Sequence, residues 1–147
     1  MSSMSDSPAL IDSNILVYAF DKDEGEKYKK AGALLEKCFL GEVNFYLSLQ
    51  NLSEFFVTVT KKISHPLPVD VASLLIKKII AFNRFVILEP TIKSIARAVD
   101  LCTTKRISYW DALIAAVMIE NQIFEIVTEN TKDFQKVEVL KVTNPFR

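Results

Sequence analysis

The chain has 147 residues, of which half are hydrophobic, 24% are charged and three are glycine. A chain of that length buries roughly 70% of its unfolded surface, which excludes disorder, a collagen-like repeat and a disulfide-stapled miniprotein. Eighteen basic residues cancel eighteen acidic ones, so any contact with nucleic acid has to come from a local patch and not from a generally cationic surface.

Residues 1–7, MSSMSDS, lack the basic start and apolar core of a signal peptide. The expectation is a loose tail over 1–8 at the head of a single domain covering 1–147. The apolar run 9–11 stops abruptly at Asp12 and predicts a buried strand. A short helix follows over 15–20. Residues 24–40 predict a longer one, with acids at its start, Ala31, Leu34, Leu35 and Cys38 on one face, and Gly41 as the stop. A strand is expected over 45–47. Asn51 then caps a helix to about 63 with Leu52, Phe55 and Val59 inward, and the loop His65-Pro66-Leu67-Pro68 breaks it.

A helix over 69–82 is expected to turn Leu74, Leu75, Ile79 and Ile80 inward and Lys77 and Lys78 outward. Then come a strand over 85–88 and a helix over 92–105. Ser108 caps a largely apolar helix over 109–121, expected to be buried. A strand over 124–127, a polar loop over 128–133 and a last strand over 137–142 complete the chain. Strands alternating with helices imply an α/β protein with a mostly parallel sheet covered on both faces. The longest charge-free apolar run, 112–119, is far short of the roughly 20 residues that span a bilayer. Cys38 and Cys102 have neither metal-site nor framework spacing. Both are expected as reduced thiols in a soluble, cytoplasmic protein with no membrane contact.

Open parallel sheets place ligands beyond the carboxyl ends of their strands. Asp12 ends the first strand, Glu54 falls in the first turn after the second, and Asp111 opens the buried helix. Asn130 and Asp133 follow the strand over 124–127. Carboxylates gathered at one edge repel and raise each other's pKa, and a divalent cation offsets that directly. Hard oxygen donors without histidine or thiolate favour Mg²⁺ or Mn²⁺ over zinc. One such ion, or two about 3.5–4 Å apart, can activate water and stabilise a leaving oxygen in phosphodiester cleavage. Lys105 and Arg106, close before Asp111, are candidates for phosphate contacts, with complementing the helix dipole as the alternative.

Four segments resemble the PIN domain, a metal-dependent ribonuclease fold: ALIDSNILVYAFD, NLSEFFVTV, ISYWDALIAAVMI and IVTENTKDF. The resemblance runs from about Ala9 to the C-terminus and is closest to small VapC-type toxins of toxin–antitoxin pairs. It implies a three-layer α/β/α sandwich. It makes Asp12, Glu54 and Asp111 the metal ligands, with Asp133 or Asn130 in the fourth position and Asp133 counted among the catalytic acids. Ser13, Asn14 and Thr128 would support them. A neutral Asn130 departs from the family pattern and points to one tightly held ion. RNA as substrate, a small antitoxin as partner and a homodimer are further implications.

Other readings compete. Ser108 with Asp111, and Asn51 with Glu54, have the spacing of an N-cap and a third-position acid, so capping is open for both acids. Capping does not account for Asp12, although Asp12-Ser13-Asn14 also suits an Asx-turn. Asp21, Asp23, Glu24 and Glu26 read as a solvated helix start. Trp110 and Tyr109 read as packing anchors, with base stacking as the alternative. A non-catalytic nucleic-acid-binding or scaffold domain of the same fold is the second functional reading, on the strength of Asn130. A phosphatase or receiver domain fits poorly, since a phosphatase wants a second aspartate where Asn14 stands.

Overall fold

Residues 8–147 are described in a computed structural model; residues 1–7 of the expected tail lie outside the described residues. Five short strands form one sheet: β1 (Ala9–Ile11), β2 (Phe45–Ser48), β3 (Phe85–Leu88), β4 (Glu125–Val127) and β5 (Lys141–Thr143). Their order is β3-β2-β1-β4-β5, and every neighbouring pair is parallel. The helices are α1 (Ser13–Tyr18), α2 (Glu26–Phe39), α3 (Leu49–Lys61), α4 (Val69–Ala81), α5 (Ile92–Lys105), α6 (Tyr109–Glu120) and α7 (Thr131–Phe134).

Strand side chains alternate between faces, and that alternation builds the layers. Ala9, Ile11, Phe45, Leu47 and Val127 share one core with the inner faces of α1 to α4. Leu10 and Ile126 enter the other, with α6, Ala98 of α5 and Phe134 of α7. The result is the three-layer α/β/α sandwich with an all-parallel sheet. Helix α6 is apolar all round because Ala112 to Met118 are all buried. It packs against α5, and Ala112, Ala115 and Ala116 are all buried.

The strand order reverses at β1. From β1 the sheet grows through β2 to β3 on one side and through β4 to β5 on the other. Such a switch point leaves a crevice outside the carboxyl ends of the two strands that flank it. Here those ends are Asp12, whose N–H donates to Val127 O at 3.0 Å, and Thr128, whose N–H donates to Thr143 O at 2.9 Å.

Several expectations are corrected. Helix α1 starts at Ser13, because the Asp12 carboxylate accepts the Ser13 N–H and caps it. Helix α3 is capped by Ser48, not Asn51. Ser48 and Asn51 form a reciprocal capping box, so Glu54 falls beyond the first turn. Leu74 and Ile80 are exposed, and Ala72 and Ile79 make the inner contact of α4. Asp21 is buried and caps a single 3₁₀ turn over 22–24. The polar loop over 128–133 contains the start of α7. The expected strand over 137–142 is mostly turn, with β5 beginning at Lys141. Four residues of helix are too few for periodicity to register.

Phe134 anchors that missed turn and is fully buried. Phe134→Ala is expected to cost about 3–5 kcal/mol, measured by urea unfolding; a loss under about 1 kcal/mol would show that α7 does not pin this end of the sheet.

Candidate active site

Asp12 sits at the switch point with 5% of its surface exposed. A buried carboxylate has to be hydrogen-bonded, and this one collects donors from three parts of the chain. Its Oδ1 accepts Ser13 N–H at 2.8 Å and Asn51 Nδ2 at 3.3 Å. Its Oδ2 accepts the Thr128 hydroxyl at 2.7 Å. Thr128 Oγ1 in turn accepts Asn14 Nδ2 at 3.3 Å and Asn130 N–H at 3.0 Å. With both its acceptor positions taken, its single proton is committed to Asp12. Asn14 also accepts Glu129 N–H at 3.3 Å, so it clamps the loop after β4 to the first turn of α1. Burial pushes the Asp12 carboxyl up, against the bonds from Thr128 and Ser13 that lower it.

Glu54 reaches the same point from α3. Its Oε2 accepts Ser13 Oγ at 2.7 Å, and that hydroxyl is also 3.3 Å from Asp12 Oδ1. The hydroxyl has one proton, and the shorter contact takes it. Glu54 Oε1 accepts Gln50 Nε2 at 2.9 Å, and the same Nε2 lies 3.3 Å from the Trp110 carbonyl. Gln50 thereby ties the Glu54 carboxylate to the first turn of α6.

Asp111 and Asp133 form the other half of the site. The Asp111 N–H donates to Ser108 Oγ at 3.2 Å, so the capping geometry is present. Its carboxyl is free to do something else: Oδ2 accepts Asn130 Nδ2 at 3.3 Å, and the group shares a hydrogen bond with Asp133. Burial, that shared bond and the charges of Asp12 and Asp133 push Asp111 up to about 7. Burial also raises Asp133, but the Ser108 N–H, the bond with Asp111 and the nearby Lys136 and Lys132 outweigh it and lower the value. Below about pH 7 the pair thus retains a proton.

The structure brings Asp12, Glu54, Asp111, Asp133, Ser13, Asn14, Thr128 and Asn130 to one end of the sheet. It does not bring Lys105 or Arg106 onto the acids. Lys105 Nζ pairs with Glu138 at 3.2 Å. Arg106 is the left-handed C-cap of α5, with φ 55°, and its carbonyl accepts Lys136 Nζ at 3.3 Å. Among the described residues, no lysine or arginine comes within 4.0 Å of Asp12, Glu54 or Asp111. Sequence reasoning missed Gln50 altogether and saw Asn51 only as a cap. Their bonds to Glu54 and Asp12 connect segments far apart in the chain, and no local pattern carries that signal. Trp110, read as a packing anchor, is instead 60% exposed.

All the candidate donors are hard oxygens, which suits Mg²⁺ or Mn²⁺ and not a soft metal. The carboxylates stand as two pairs, Asp12 with Glu54 across Ser13 and Asp111 with Asp133. Among the described residues, no three His, Cys, Asp or Glu side chains are gathered into a ready cage.

Four acids standing as two pairs at the switch-point end of an all-parallel sheet define a class of α/β proteins with an acidic centre at the strand ends. The PIN domain family matches residues 9–140, and the chain belongs to that family. No match was found among curated protein sequences. Among solved structures, the chain resembles one from a toxin–antitoxin complex of Klebsiella pneumoniae, with TM-score 0.65 and 25% identity over 93% of this chain and 97% of that one. FitAcB from Neisseria gonorrhoeae has the same fold, with TM-score 0.70 and 19% identity over 95% and 99%. So does VapC20 of Mycobacterium tuberculosis, described as a toxin that cleaves the sarcin–ricin loop, with TM-score 0.62 and 14% identity over 82% and 87%. Among the described residues, no helix is long and apolar enough to cross a membrane.

The raised Asp111 and Asp12 values carry a sign for stability. Between the ordinary value of 3.8 and about 7, folded Asp111 holds a proton that the unfolded chain has released. Stability therefore falls as pH rises through that window. In EDTA, the midpoint of thermal unfolding is expected to drop from pH 5 to pH 8. Asp111→Asn should flatten most of that slope and raise the midpoint at pH 8. An unchanged slope in the variant would remove Asp111 as its source.

Proposed function

We propose that this protein is a metal-dependent ribonuclease of the toxin–antitoxin type. The observation that carries the reading is the acid cluster itself. The Asp12 carboxyl is held inside the fold by donors from three segments, Glu54 meets it across Ser13, and Asp111 and Asp133 stand as a second pair at the same end of the sheet, with no protein cation in contact with Asp12, Glu54 or Asp111. Such an arrangement costs stability, and binding of a hard cation would offset that cost. Asp12, Glu54 and Asp111 would hold Mg²⁺ or Mn²⁺, which supplies a Lewis acid for the phosphodiester and its leaving oxygen. Ser13, Asn51 and Thr128 hold the Asp12 carboxylate in one orientation. Asp133, or Asn130 beside it, completes the acidic rim. Asp111 and Asp133 share a proton without metal, and that proton must leave before both carboxylates can act as ligands.

Purified protein is expected to cut a mixed pool of single-stranded RNA with Mg²⁺ or Mn²⁺ and to stop in EDTA. Asp12→Asn is expected to lower the rate by about 10²-fold or more with its circular dichroism unchanged. Full cutting by that variant would refute the assignment of Asp12. A second reading, a non-catalytic domain of the same fold, draws on the neutral Asn130 and the paired rather than gathered carboxylates. It predicts RNA binding that survives EDTA, with no cutting under any metal.

The partner in this reading is a small antitoxin. Support comes from the toxin–antitoxin complex among the similar structures. It also comes from an apolar groove of about 470 Å³ between α3 and α4, lined by Leu49, Phe56, Val57, Ile76 and Ile80. Leu49, Val57 and Ile80 are exposed there. Expression alone is expected to arrest growth, and co-expression of a neighbouring antitoxin gene to relieve it. Ile80→Glu should abolish the relief while leaving the arrest intact.

A further inference from the structure

Trp110 does not fit the helix that carries it. From Ala112 to Met118, α6 is wholly buried, yet its largest side chain is 60% exposed. The core makes no use of the indole. Its position is nevertheless held from two sides. The Trp110 carbonyl accepts Gln50 Nε2 at 3.3 Å, and that nitrogen also holds Glu54 at 2.9 Å. The ring stands edge-to-face against Tyr109, with centroids 5.2 Å apart and planes at 70°, while Tyr109 packs against the core around α6. Its backbone, tied through Gln50 to Glu54 and placed directly before Asp111 in the chain, thus sets an exposed aromatic residue beside the acids.

The electrostatics say what that surface is for. The acids repel a phosphate backbone, Lys105 is tied to Glu138, and the chain has no net charge. The lysines nearest the acids, Lys136 and Lys132, lie beside Asp133, so Coulombic attraction, the usual source of affinity for nucleic acid, is partly cancelled at this rim. Stacking does not depend on charge, since every base offers a π-face to an aromatic side chain. We infer that Trp110 stacks on a nucleobase of single-stranded RNA next to the phosphodiester presented to Asp12, Glu54 and Asp111. The inference rests on the ribonuclease reading for its substrate class. It assigns Trp110 to binding and positioning, not to the chemical step.

Trp110 is the only tryptophan in the chain, so indole emission reports this residue alone. Full-length Asp12→Asn with Mg²⁺, and wild-type protein in EDTA, would be titrated with a six-nucleotide adenosine RNA and with the same strand carrying abasic positions. The intact strand is expected to quench the emission strongly and the abasic strand much less. In cleavage assays, Trp110→Ala should raise KM roughly tenfold to a hundredfold with kcat little changed, and Trp110→Phe should recover most of the loss. Equal KM in Trp110→Ala and wild type, with normal cutting, would overturn the stacking role and leave the nuclease standing. Quenching by the intact strand without cutting under any metal would overturn the nuclease and keep the stacking. Emission that follows protein concentration and ignores RNA would show that another protein surface covers Trp110, and would overturn the inference.

Discussion

The buried Asp12 carboxylate is the interaction on which the rest of this structure depends. It ends β1, caps α1, accepts Asn51 from α3, and accepts Thr128 from the end of β4. A charge in that position is tolerable only if every one of those donors is in place. The pairing of β1 with both β2 and β4 delivers them. Without β2 or β4 the carboxyl would lose the donor that follows that strand, Asn51 or Thr128, so the topology and the burial of Asp12 are one constraint seen twice. Ser48 and Asn51 show the same economy: their capping box starts α3, and the amide that completes it also serves Asp12.

The remaining acids are arranged so that their repulsion is expressed without breaking the fold. Glu54 is stabilised by Ser13 and Gln50 while facing Asp12 across a single hydroxyl. Asp111 and Asp133 settle their repulsion by holding one proton between them. Each pair is satisfied by itself, and lysines meet the acids only at Asp133, where Lys136 and Lys132 lie close. Such a site is locally satisfied yet carries stored electrostatic cost, which is the physical condition for a tight response to a small, highly charged ligand.

Much of the fold was legible in the chain. The strand over 85–88 and the helix over 92–105 were read at their observed bounds, and most other elements within two residues, because their apolar periodicity is strong and Gly41 and the His65–Pro68 loop punctuate them. The failures have local causes. Helix α7 is one turn long, too short for a period to show. Leu74 and Ile80 were placed inward on α4 because its apolar residues outnumber the positions the core can take, and Asp70, Lys77 and Lys78 alone do not say which of them face the sheet. Ser48 was missed as the cap of α3 because it is also the last residue of β2.

The acids themselves could be picked out as residues at strand ends and helix starts, because chemistry and topology both favour those positions. The chain alone also pointed to a mostly parallel sheet, since strands alternating with helices are the pattern of βαβ crossovers, while the tertiary structure made every neighbouring pair parallel. Tertiary structure alone decided what each side chain does there. It turned Asp133 onto Asp111, gave Thr128 and Asn51 to Asp12, tied Lys105 to Glu138 away from the acids, and left the Trp110 ring in solvent. Those outcomes depend on contacts between segments more than a hundred residues apart in the case of Asp12 and Thr128. Hydrophobic periodicity is a property of neighbours in sequence, whereas a hydrogen-bonded site is a property of neighbours in space.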